Sequence, residues 1–176
     1  MVCCGCIVCV REMDAGIVES CGKFDSVLPP GLHCICFPYQ QVSARISLKI
    51  KHTEVSCETK SKDNVFVTVV VAVQYKVVDS KVPSAHYKLT DPSAQIRSYV
   101  FDVIRSSLPR MDLDDAFASK NDLAEAVKTQ LQHLMAEYGY EIIAALVVDL
   151  EPDRHVKAAM NEINGKFLSN SYFDIN

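Results

Sequence analysis

Residues 65–77 read VFVTVVVAVQYKV, thirteen positions without a turn former and with β-branched residues at most of them. Written with a period of two, Val65, Val67, Val69, Val71, Val73, Tyr75 and Val77 share one face, and Phe66, Thr68, Val70, Ala72, Gln74 and Lys76 share the other. A strand this apolar fits the middle of a sheet with at least one face covered. Any fold open to this chain must therefore supply neighbouring strands and a layer to pack on them.

The upstream half supplies strands. Val8-Cys9-Val10 and Ile17-Val18 flank Met13-Asp14-Ala15-Gly16, which predicts a hairpin between them. Gly22-Lys23 and Leu28-Pro29-Pro30-Gly31 mark further turns. In ARISLKIKH, Ile46, Leu48 and Ile50 alternate with Arg45, Ser47, Lys49 and Lys51. This predicts one strand with a buried face, continued by His52, and a basic wet face. Val55 and Cys57 point inward in the next strand, which turns at Ser61-Lys62-Asp63-Asn64.

The downstream half changes period. Asp91 and Pro92 sit as N-cap and first residue of a helix carrying Ile96, Val100, Val103 and Ile104, which stops before Pro109. A short turn or helix follows over 112–119. A second long helix stripes Leu123, Val127, Leu131, Leu134 and Tyr138 and ends at Gly139. YEIIAALVVDL returns to strand, and Pro152-Asp153 opens a last helix. The order specifies an α+β fold, a mainly antiparallel sheet with helices packed on one side.

With 49% apolar and 23% charged residues, the 176-residue chain is a folded domain. Its formal charge of −4 and lack of tryptophan argue against a nucleic-acid partner. No nucleophile elbow, phosphate-cradling glycine loop or His-Glu-x-x-His is present, so neither an enzyme nor a cofactor is expected. His33, His52, His86, His133 and His155 are scattered, and Asp112, Asp114 and Asp115 read as helix caps and dipole partners, not cation ligands.

Four of the eight cysteines, Cys3, Cys4, Cys6 and Cys9, fall in the uncharged opening MVCCGCIVCV. Tetrahedral zinc needs a second ligand pair beyond Cys6-x-x-Cys9, and none follows at suitable spacing, so no metal is expected. A redox pair belongs at a helix N-terminus, whereas this one leads into a strand. The opening is far short of the roughly 20 apolar residues that cross a bilayer as a helix. Exposed thiols among Val2, Ile7, Val8 and Val10 suit S-acylation, and two or more acyl chains anchor stably where one is marginal. The remaining reading is a bland apolar strand. The basic residues Arg45, Lys49 and Lys51 would add contact with anionic lipid if that strand faced a membrane.

The stretches at 59–77 and 95–117, with GKFDSVLPPGLH, KNDLAEAVKTQL, YGYEIIAALVVDLEPD and HVKAAMNEIN in colinear order, resemble the stomatin/prohibitin/flotillin (SPFH, band 7) superfamily, and within it the plant hypersensitive-induced-reaction proteins. The likeness runs from about Arg11 to Asn164. It implies a cysteine-rich membrane-proximal segment over 1–10, an SPFH domain over 11–164 and a short divergent tail over 165–176. It also implies a non-enzymatic, oligomeric peripheral scaffold on the cytosolic face of the plasma membrane. Such a scaffold organises microdomains and, in the plant group, is linked to defence-associated cell death. Its partners would be membrane lipids, through acylated cysteines, and other copies or related SPFH proteins. The alternative is a soluble regulatory subunit binding a membrane protease, an immune receptor or a full-length relative.

Two departures stand out. Val2 replaces the glycine that N-myristoylation requires, which leaves anchoring to the cysteines. Family members continue into a long Ala/Glu-rich assembly helix, whereas this chain turns to GKFLSNSYFDIN, so a domain truncated before that helix is expected.

Overall fold

The computed structural model describes residues 5–152. Strands β1 (Gly5–Val10), β2 (Asp14–Ser20), β3 (Lys23–Leu28), β4 (Gly31–Cys36), β5 (Gln40–Ser47), β6 (Lys51–Lys60) and β7 (Phe66–Val77) come first. Helices α1 (Val82–Tyr87), α2 (Pro92–Ser107), α3 (Leu113–Ala118) and α4 (Lys120–Ala136) follow, then β8 (Tyr140–Pro152). The α+β class read from the sequence holds, and β7 is the middle strand of a β6-β7-β8 sheet, as its valines require. The last helix expected from Asp153 lies outside the described residues.

Two compact units divide the chain. The first takes in residues up to Thr53, Val73–Arg97 and Lys128–Ala144. Here β2 is the centre of a β3-β2-β5 sheet and β1 pairs with β4 in a separate two-stranded ribbon. The expected β1–β2 hairpin is therefore wrong. The turn at Arg11–Met13, closed by the Asp14 N–H donating to the Arg11 carbonyl at 3.2 Å, hands the chain to another sheet. Asp14 and Gly16 belong to β2, not to the turn. By contrast, Cys21 and Gly22 both adopt positive φ (50° and 80°), the geometry of a tight two-residue hairpin turn between β2 and β3.

Ile17, Val18, Val73, Ile96, Leu131 and Met135 are fully buried in this unit. Tyr75 and Tyr140 meet edge-on at 6.0 Å between centroids. Each keeps its polar end satisfied, Tyr75 through Ser93 Oγ at 3.0 Å and Tyr140 by donating to the Ala85 carbonyl at 3.3 Å. Asp91 caps α2 as its sequence predicts, its Oδ1 accepting from the Ser93 and Ala94 N–H groups at 2.9 and 3.1 Å.

The second unit takes in Glu54–Ala72, Ser98–Val127 and the residues from Ala145 onward. Val55, Val69, Val71, Val100, Ile104 and Leu108 form its interior. Asp112 stands at the N-cap of α3 without making the cap bond; the Leu113 N–H donates instead to Asp63 Oδ2 at 2.9 Å, from the β6–β7 turn. Asp112 pairs with Lys62 at 3.0 Å, which holds its carboxyl below the usual range. Asp114 and Asp115 occupy the first turn of α3, where negative charge suits the helix dipole.

Two apolar assignments need correction. The basic strand over 45–52 does not exist as one element: β5 stops at Ser47, β6 begins at Lys51, Ile50 is 58% exposed and His52 is exposed. On α4, Leu134 faces out and Met135 is buried in its place, because 123, 127, 131 and 135 keep a spacing of four along one face.

A cysteine-bearing apolar ribbon as candidate functional site

Of the predicted acylation sites, Cys3 and Cys4 precede the described residues. Cys6 and Cys9 lie in β1, which runs antiparallel to β4 with Ile7 opposite Cys34 and Cys9 opposite Leu32. Residues directly opposite each other in a strand pair project to the same side, so the ribbon has two unlike faces. One carries Val10 and Ile35, both buried. Val10 lies over Gly16, where a Cβ would stand 3.3 Å from Val10 Cγ2. His33, on this face, uses Nε2 to bond the Pro29 carbonyl at 2.7 Å, a structural role.

The other face holds Ile7, Cys9, Leu32 and Cys34. Ile7 and Leu32 are each 74% exposed, and both thiols are open to solvent. At the Gly5–Cys36 end the chain turns through Phe37 and Tyr39, 60% and 66% exposed. No side chain on this face carries a charge. A small apolar surface of this kind, studded with free thiols, has the chemistry of a membrane interface contact.

Sequence reasoning missed the β4 half. GLHCIC alternates, but its alternation alone does not say which face meets water, and only the pairing with β1 brings Leu32 and Cys34 beside Cys9. Cys57 is a different thiol: it is buried, and that burial pushes its pKa up against the weaker opposing pull of Arg105. Arg45, Lys49 and Lys51 are all exposed, but the break after Ser47 removes the single strand face on which they were placed. Among the described residues no helix is long and apolar enough to cross a membrane.

The order of β strands, the interposed helices and β8 define an SPFH-type domain, and the chain belongs to the SPFH domain / Band 7 family, whose profile matches residues 8–166. It is 42% identical over 157 residues to hypersensitive-induced response protein 4 of Arabidopsis thaliana, covering 89% of this chain and 54% of that protein. It is 24% identical over 157 residues to the human mitochondrial stomatin-like protein 2, covering 88% and 43%. It is 26% identical over 140 residues to protein HflK of Buchnera aphidicola, covering 76% and 32%. The chain thus spans about half, or less, of the length of these curated relatives.

Proposed function

We propose that this chain is a non-enzymatic peripheral membrane scaffold, held to the cytosolic face of the plasma membrane by S-acylation of its N-terminal cysteines. Cys3, Cys4, Cys6 and Cys9 are the acyl acceptors, and the Ile7/Leu32 face of the ribbon, which Cys9 shares, rests in the lipid interface. The observation that carries this reading is the exposed, uncharged face on which two large aliphatic side chains flank free thiols. Likeness to an Arabidopsis hypersensitive-induced response protein supports a role in organising plasma-membrane microdomains during plant defence-associated cell death.

The test is fractionation of plant cells expressing the chain, before and after hydroxylamine, beside a Cys3/Cys4/Cys6/Cys9→Ser variant. Membrane association that falls in both treatments supports the acyl anchor. A protein that is cytosolic from the start, or that stays on membranes without those cysteines, overturns it. The first of those outcomes favours a soluble subunit that binds another protein.

A further inference from the structure

Glu12 and Met13 follow β1, Pro29 and Pro30 lead into β4, and these two links line a cleft of about 740 Å³ in the first unit. Its floor is apolar: Ala15, Val77 and Val82 are buried, and Val27 and Leu48 are half-buried. Pro29 and Pro30 form a wall whose φ angles are already fixed. A cavity of this size and lining falls within the range of small-molecule sites.

The mouth is acidic. Glu12 and Asp79 are exposed, and Asp14 is half-buried. Among the described residues Lys76 is the one cation lining the cleft, and it is paired with Glu141 at 3.2 Å. Lys81, next to the lining Ser80, turns instead to the Ala136 carbonyl at 3.1 Å. Among the described residues, no ion pair engages Glu12, Asp14 or Asp79. Three carboxylates thus stand over apolar carbon without a cation of their own. A bare cation would meet the carboxylates but cover no floor, and a neutral alkyl chain would cover the floor but ignore the carboxylates. A primary alkylammonium does both, offering three N–H donors at one end and a chain to lay along the valines. A polyamine suits the cleft less, because its inner charges would rest on Val27 and Val77 without a partner.

We propose that the cleft binds a small aliphatic primary amine, its ammonium among Glu12, Asp14 and Asp79 and its alkyl chain on the Ala15/Val27/Val77 floor. The site is one of small-molecule recognition and needs neither an acyl chain nor a second protein. It lies at the Val10–Gly31 end of the ribbon, so amine binding and membrane contact use separate residues of neighbouring elements.

The experiment is an NMR titration of the full, unacylated chain with isotope-labelled methionine methyls, in reducing buffer without membranes, so its failure leaves the anchor untouched. Met13, 49% exposed and lining the cleft, is the local reporter; Met111 and Met135 do not line it. Octylammonium is expected to shift the Met13 methyl with a Kd of about 1 mM or tighter. Hexylammonium should bind about tenfold more weakly, the loss of two methylenes from the floor. Octanol should also bind at least about tenfold more weakly, since it forgoes the charged hydrogen bonds. Glu12→Gln/Asp79→Asn, at exposed positions, should reduce the preference for amine over alcohol to about threefold or less. Ile7→Ser/Leu32→Ser should leave that preference unchanged. A Met13 methyl that stays still at about ten times the expected Kd overturns the proposal. So does octanol binding as tightly as octylammonium, or spermidine binding more tightly. Loss of binding in the Ile7/Leu32 variant overturns it too, because the amine would then lie on the ribbon.

Discussion

Replacing Ile7 and Leu32 together by serine isolates what the ribbon face contributes to membrane binding. Fully burying such a side chain is worth about 1.5–3 kcal/mol. Each is 74% exposed in the free protein, so about 1–2 kcal/mol per residue, or about 2–4 kcal/mol for the pair, is released on insertion. At 1.4 kcal/mol per factor of ten, the double variant should bind bilayers about thirty- to a thousandfold more weakly. Two or more acyl chains would mask this, so the assay uses one. Cys9 carries a single myristoyl-length thioether, and Cys3, Cys4, Cys6, Cys21, Cys34 and Cys36 are serine. One chain alone partitions with a constant of about 10⁴ M⁻¹, which places half-binding near 100 µM lipid for the double variant. The intact ribbon should bring it to about 3 µM or lower. Sedimentation with lipid vesicles reads both values. Because both side chains point to water, stability should change by no more than about 0.5 kcal/mol. A double variant that binds within twofold of its parent would refute the insertion of this face.

Two further expectations concern the fold. Gly22 and Gly139 both hold positive φ (80° and 87°), but a Cβ at Gly22 meets nothing within 4 Å, whereas one at Gly139 falls 2.7 Å from the Lys81 carbonyl oxygen. Gly22→Ala should cost about 1–2 kcal/mol, the left-handed penalty alone. Gly139→Ala should cost about 1–3 kcal/mol more, since backbone must move; urea unfolding with equal losses at the two sites would contradict this. Thiol labelling at pH 8 should modify Cys9, Cys21 and Cys34 quickly and Cys57 only on unfolding. Because burial raises the Cys57 pKa, the unfolded chain loses that proton first as pH climbs through the ordinary thiol range. Stability should therefore fall on the alkaline side, and less so in Cys57→Ala.

What could be read beforehand depended on how local the cause was. β7, α2 and its Asp91 cap were legible because period and capping act within a few residues. α4 was legible in outline, but Leu134 and Met135 are both apolar and adjacent, and only the tertiary face selects between them. The strand over 45–52 failed because alternation continued through a place where the backbone bends, and nothing apolar waited to cover Ile50. β1 pairs across a whole intervening hairpin, a long-range choice that turn chemistry at Asp14 and Gly16 does not report. For the same reason the site was half visible: Cys9 announced itself by clustering, whereas Leu32 and Cys34 reach it only through that pairing.

The β1–β4 ribbon has a consequence for how the chain tolerates change at its N-terminus. The segment that carries the proposed acyl acceptors is also, among the described residues, the only strand hydrogen-bonded to β4, and Val10 at its end is part of the interior. Removing residues 1–10 would do more than take away the proposed acyl acceptors. It would strip β4 of its partner, bare one row of peptide groups next to Leu32 and Ile35, and leave an exposed edge that recruits other strands. The proposed anchor shares its element with the architecture, so point substitution at the cysteines, and not deletion, is the way to test the anchor by itself.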